Sequence, residues 1–328
     1  MAVTSFFYVK GEPVERGLDA EALRAAARGD RGEGVLWLDL ADPTDEEVFL
    51  LDEVFGFHPL AVEDCRERSE SPKIDDYGEY LFCVFLGPDL RSPEASEIET
   101  VELDAFLGPR YVVTFHRGEI RGLAATASLV ESSPAQALGR GADMLLHRLV
   151  DGLTDGYFTI LKRIEGMSER VEDELMAGRG VETAFNEIIG VRKSVLNLRR
   201  YLGPQQATLS LLSRHPYDVV RPRTRLYFRD VYDHLRQAGD EIDRCGALVS
   251  GVMELHDSVA ARRTNEIMKV LTVIATIMMP LTLVTGIYGM NVNLFVGERS
   301  PYAYPALHAV MFAIALGMIL FFRRKGWF

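Results

Sequence analysis

Two stretches near the C-terminus carry no formal charge, Val270 to Tyr288 and Tyr304 to Phe322, each 19 residues long. As helices rising about 1.5 Å per residue, both can cross a hydrocarbon core of about 30 Å. A short polar loop separates them, so the pattern predicts a membrane hairpin. Two buried core helices are the alternative, and uncharged runs of this length are uncommon in soluble domains. The first run is not evenly apolar. Asn265, Met268, Thr272, Ala275, Met279, Thr282 and Gly286 recur at alternating steps of three and four, which puts them on one helical face. That face collects small and polar residues, while Val270, Ile274, Ile277, Leu281 and Val284 lie mainly elsewhere. Such a stripe suits either close helix packing or the lining of a pore, and periodicity alone does not choose.

Upstream the pattern changes twice. Residues 1–133 show β-rich runs at Ser5–Val9, Val35–Leu40, Tyr80–Leu86, Thr100–Leu107 and Tyr111–Phe115. Between the second and third lie two helical patterns, one opening on Thr44 with Glu47 in capping-box spacing, the other on His58-Pro59. Together they predict a mixed α/β domain. Glu63 and Asp64 near His58 could suggest a metal site, but the simpler expectation is a solvated helix face after a helix start. Residues 134–221 read as a helical pair, broken at Ala177-Gly178-Arg179-Gly180 and again at Leu202-Gly203-Pro204. Its first helix is rich in acids, among them Asp151, Asp155, Glu165 and Glu169. From residue 222 a helix continues without a breaker into the first apolar run. Phe228, Leu235, Ile242 and Val249 repeat every seven residues, as do Val231, Ala238, Cys245, Val252 and Val259. A helix from Thr224 to Tyr288 would be roughly 97 Å long, which predicts packing against preceding helices or against copies of itself.

The net charge of −12 is uneven: from Ala261 onward seven Lys/Arg face two Asp/Glu, which leaves −17 for residues 1–260. So acidic a portion disfavours nucleic acid as a partner and suits cations. Cys65, Cys83 and Cys245 show no CxxC spacing, so neither a zinc ribbon nor a disulfide framework is expected. The N-terminus lacks the pattern of a cleavable signal. Arg262, Arg263 and Lys269 precede the first run and Arg323, Arg324 and Lys325 follow the second, whereas the connecting loop has only Arg299 beside Glu298. The positive-inside rule therefore predicts a multi-pass protein of the cell membrane with both termini cytoplasmic. No Gly-rich phosphate loop or catalytic grouping points to an enzyme.

The first run ends on Tyr288-Gly289-Met290-Asn291. With Pro280 inside the helix, two C-terminal spans, an acidic domain before them and a basic tail after, this resembles the signature of the CorA family of divalent-cation channels. Thr264-Asn265-Glu266, Met268-Lys269-Val270-Leu271-Thr272 and Met279-Pro280-Leu281-Thr282 are similar to that family's pore helix, and Tyr227 to His234 to its stalk segment. The resemblance covers essentially the whole chain. It implies a cytoplasmic α/β domain (1–133), a helical pair (134–221), a stalk helix (222–267), a pore-lining span (268–289), an outer loop with the Gly-Met-Asn motif (290–303), a second span (304–322) and a basic tail (323–328). Five copies ringing an axis in the bilayer would form the conducting unit, a cyclic homo-oligomer.

The resemblance further implies a selectivity filter at Gly289, Met290 and Asn291, buttressed by Tyr288. Asn265, Met268, Leu271, Thr272, Ala275, Met279, Thr282 and Gly286 would line the pore, with Leu271 and Met279 as apolar constrictions. No Asp or Glu lies between Lys269 and Asn291. That suits Mg²⁺, which gives up its water reluctantly, with Asn291 accepting hydrogen bonds from the water shell. Mg²⁺ would be both substrate and regulatory ligand, with Co²⁺ and Ni²⁺ as further cargo. Asp230 is the expected regulatory ligand between subunits, and Asp89, placed by position rather than by motif, its partner. Two alternatives stand beside this expectation: a Zn²⁺ transporter of the related zinc branch, and a membrane-anchored metal sensor that conducts nothing.

Overall fold

The computed structural model describes residues 3–69, 71–91, 98–177, 181–290 and 303–327. The chain falls into two units, Met1–Met253 and Glu254–Phe328. In order the elements are β1 (Val3–Tyr8), β2 (Glu15–Arg16), α1 (Ala20–Arg28), β3 (Val35–Ala41), α2 (Asp45–Glu53), α3 (Pro59–Arg66), β4 (Lys73–Asp76) and β5 (Leu81–Pro88). They continue with β6 (Thr100–Leu107), β7 (Tyr111–His116), α4 (Arg121–Ser132), α5 (Pro134–Ala137), α6 (Ala142–Met176), α7 (Val181–Arg214), α8 (Pro222–Tyr288) and α9 (Ala303–Arg324).

In the first unit the strands form one sheet, ordered β2-β1-β3-β7-β6-β5-β4. β3 and β7 run parallel, and the other described pairs are antiparallel. β5 and β7 are buried along their whole length, so both faces of the sheet are covered. Leu23 of α1, Leu51 of α2 and Ala61 and Cys65 of α3 join Leu36, Leu38, Phe82, Phe106 and Val113 in one core. On the other face α6 approaches closely. The Tyr157 hydroxyl donates to Leu86 O at 2.9 Å, and a Cβ at Gly122 of α4 would come within 2.7 Å of the Gly152 backbone on α6. Two glycines are what let those helices touch.

Local chemistry explains the helix starts. The Thr44 hydroxyl accepts from Glu47 N at 3.4 Å, and the Glu47 carboxylate accepts from Thr44 N at 2.8 Å, a complete capping box. Thr44→Ala should cost about 1 kcal/mol, read as a lowered urea midpoint at unchanged slope. His58 caps α3: its Nδ1 accepts from Leu60 N at 3.2 Å, and Pro59 supplies the first helical turn.

Pro204 does not break its helix; α7 runs through it to Arg214. Leu202, Gln205, Thr208 and Leu209 are buried around it, and the Gln205 Oε1 accepts from Leu86 N at 3.1 Å. Packing thus outweighs the loss of one helical donor. The heptad positions of α8 from Phe228 to Val252 are all buried. α7 lies beside them: the Gln206 amide donates to Leu235 O at 3.3 Å, Arg199 pairs with Asp243, and Gly239 faces Leu202. Before α8, Arg221 bonds the buried Asp143 of α6 through its backbone N (3.1 Å) and Nε (2.9 Å).

The second unit contains the C-terminal part of α8 and all of α9. Both helices are long and apolar enough to cross a membrane. Val273, Ile277, Pro280 and Val284 of α8, each shielded at least in part, form one stripe. Leu307, Met311, Ile314, Met318 and Phe322 form another on α9. The tail folds back, with the Trp327 ring 5.3 Å from that of Phe322 and the Trp327 backbone N–H donating to Phe322 O at 3.1 Å.

Candidate functional site

Asn265, Met268, Leu271, Thr272, Ala275, Met279, Thr282 and Gly286 are all exposed, away from the shielded stripe of α8. Met279 is the most open of the large apolar side chains on this helix, at 73% exposure. A shallow groove of about 660 Å³ runs along Ala275, Met279, Thr282 and Gly286 to Met290. The Thr272 hydroxyl donates to Met268 O at 2.7 Å, and the Thr285 hydroxyl to Thr282 O at 3.0 Å. With its proton held inside the helix, the Thr272 oxygen presents lone pairs outward, as an acceptor toward water. Pro280 brings no N–H to the helix ladder, which frees the Thr276 carbonyl from its usual donor. No carboxylate interrupts the face between Lys269 and Met290.

α8 closes on Gly289, whose N–H donates to Thr285 O at 2.9 Å, followed by Met290 N to Ile287 O at 3.4 Å. A Cβ on Gly289 would stand 3.1 Å from the Thr285 carbonyl, a tight approach that favours glycine there. Tyr288 and Met290 are exposed. Asn291 lies outside the described residues, as does the loop after it to residue 302.

The two expected regulatory carboxylates sit in different settings. Asp230 is exposed on α8. It lies close enough to Asp151 and His147 of α6 to affect their titration: burial raises Asp151 and the Asp230 charge adds to that, while burial and Arg148 push His147 down to about 4. Asp155 is likewise raised, by burial and by the Asp151 charge. Asp89 is nearly buried and bound by its own neighbour. Arg91 donates to it through its backbone N (2.8 Å), Nε (3.0 Å) and Nη2 (2.6 Å), and this holds the carboxyl below its usual range. Arg91 had no signal in the sequence beyond its spacing from Asp89. Among the described residues no three His, Cys, Asp or Glu side chains are grouped to hold a metal ion.

The comparisons with known proteins agree with one another. A family model described as CorA-like Mg²⁺ transporter protein matches residues 32–324. The cobalt/magnesium transport protein CorA of Thermotoga maritima is 33% identical over 275 residues, covering 84% of this chain and 78% of that one. YfjQ of Bacillus subtilis is 33% identical over 292 residues, 89% of each chain. Among solved structures, the complete CorA magnesium transporter of Methanocaldococcus jannaschii shares the fold with a TM-score of 0.85, covering 100% of this chain and 99% of that one at 24% identity.

Proposed function

The chain belongs to the CorA-like Mg²⁺ transporter family, a family of divalent-cation transporters of the membrane, and on that premise we propose that it is a Mg²⁺ channel. The carrying observation is the uncovered, uncharged face of α8, with its small and hydroxyl-bearing residues, ending at Gly289 and Met290. One such helix cannot enclose water, so copies must ring an axis, and the family likeness favours five. Thr272, Thr282 and Asn265 then offer neutral oxygens to a hydrated ion, while rings of Leu271 and Met279 close the pore by excluding water. Gly289, Met290 and Asn291 form the filter at the outer mouth, Tyr288 supports the turn, and both termini face the cytoplasm. A carboxylate-free passage suits an ion that keeps its water shell, which is why Mg²⁺ is preferred to a bare Zn²⁺. Co²⁺ and Ni²⁺ carry similar shells. Two charges falling through 100 mV gain about 4.6 kcal/mol, so inward flow needs no other energy source.

Closure depends on Mg²⁺ inside the cell. Asp230, exposed and near Asp151, has no group of three metal ligands around it among the described residues. A site completed across a subunit boundary accounts for that. Without the ion, carboxylates repel across each boundary and the ring loosens. Asp89 can join such a site only if Arg91 swings away from it. Asp230→Asn should raise the internal Mg²⁺ needed for half closure about tenfold, the equivalent of about 1.4 kcal/mol. Dose–response curves of flux against internal Mg²⁺ check this, and an unchanged midpoint removes Asp230 from regulation.

The test of the whole is uptake into liposomes holding the purified protein, with internal Mg²⁺ high or near zero and external Mg²⁺, Co²⁺, Ni²⁺ or Zn²⁺ offered in parallel. Mg²⁺ entry suppressed by internal Mg²⁺ is the expected result. Flux of Zn²⁺ alone, indifferent to internal Mg²⁺, would instead favour the zinc branch, and no flux at all a membrane-anchored sensor.

A further inference from the structure

A cavity of about 450 Å³ opens beside the C-terminal ends of β3 and β7 in the α/β domain, and Cys65, Glu102 and Asp104 form part of its wall. Glu102 and Asp104 point to the same face of β6, the face covered by α3. Asp104 is 2% exposed. Between them the two carboxylates have four oxygens and few donors. Glu102 Oε1 accepts from Ser69 N at 3.0 Å, the Cys65 thiol bonds Asp104, and the two carboxyl groups bond each other. Beyond that pairing, Glu102 Oε2 and Asp104 Oδ1 are buried and find no donor on any other side chain or backbone group. Nearby cations are committed elsewhere: Lys73 Nζ to Asp64 at 2.6 Å, Arg68 to Thr100, Arg117 to Arg66 O at 3.1 Å, and Arg91 to Asp89.

Two carboxylates side by side and shielded from water repel each other when charged, and a bound cation removes that cost. We propose that Glu102 and Asp104 hold a hydrated divalent cation, Mg²⁺ in the cell, in this cavity of the α/β domain, at a site separate from both the membrane span and Asp230. The donor set argues for a hard ion. Its unpartnered atoms are carboxylate oxygens, which suit a hard cation over a soft one. Mg²⁺ is commonly held by one or two carboxylates with several waters retained, and the cavity has room for those waters. That also fits the absence, among the described residues, of a group of three protein ligands. Bound there, the ion would stabilise the folded α/β domain as internal Mg²⁺ rises.

The test uses full-length protein in nanodiscs, with Asp230→Asn in every sample and Mn²⁺ as a paramagnetic probe. Free Mn²⁺ is counted by electron spin resonance with and without Glu102→Gln plus Asp104→Asn. The double variant should bind about one ion fewer per chain, in keeping with a site built from two carboxylates. An equal count would overturn the proposal. Should the double variant fail to fold, Glu102→Gln alone, at the less buried of the two acids, is counted in the same way. A count lower by about one ion per chain supports the site, and an equal count overturns it.

Discussion

Asn291→Ala is expected to abolish Mg²⁺ uptake while the protein still assembles and inserts. If Asn291 accepts hydrogen bonds from the water shell of the ion, each subunit loses an interaction worth about 1 kcal/mol. Several copies act on one ion, so the combined loss of about 3–4 kcal/mol corresponds to a fall in flux of about 10²–10³-fold. Liposome uptake of Mg²⁺ measures the loss, and size-exclusion chromatography shows whether the assembly survives. Asn291→Asp sharpens the point. Its charge would hold a divalent ion too well at the mouth, so uptake should also fall, now with tighter block by Co²⁺. An Asn291→Ala protein that transports at the parental rate would remove the filter from the Gly-Met-Asn turn. It would leave the tight glycine at 289 as a feature of the helix end alone.

The membrane hairpin was legible because the signal is carried by absence of charge over a whole span, which no local contact can disguise. The capping box at Thr44 was legible for the opposite reason: it is a local arrangement of two side chains and two N–H groups, and the tertiary structure leaves it intact. Pro204 misled because its break signal is also local, while the packing that overrides it comes from Leu86, far away in the chain. Arg91 could not be foreseen as the partner of Asp89, since only the folded turn brings its guanidinium onto the carboxylate. β6 shows the limit most clearly. Val101-Glu102-Leu103-Asp104 alternates as a half-exposed strand should, and the alternation suggests solvent for both acids. Asp104 is buried under α3 and Glu102 is half-buried beside it, so acidity is enclosed where the pattern suggests surface.

Phe57→Ala is the substitution expected to cost the fold most. Phe57 sits between α2 and α3, 1% exposed, with its ring stacked 4.0 Å from Phe106 of β6. Tyr80 lies 4.7 Å away, Phe55 5.2 Å and Tyr111 6.0 Å. Removing the ring loses both its burial and those aromatic contacts, and the surrounding strands cannot close the gap, so about 3–5 kcal/mol is expected. Domains of this kind are commonly stable by about 5–15 kcal/mol, so the variant stands near the edge of folding. Trp37 is fully buried in the same sheet, which makes its fluorescence a local reporter of urea unfolding in a Trp327→Phe background. Phe49→Ala provides the contrast, since Phe49 is 52% exposed and its loss should cost within about 0.5 kcal/mol. Equal costs for the two would mean that aromatic content, and not the stack on Phe106, supports the α/β domain. A large difference ties its stability to the contact that seats α3 over β6, and so to the ground on which Glu102 and Asp104 are buried.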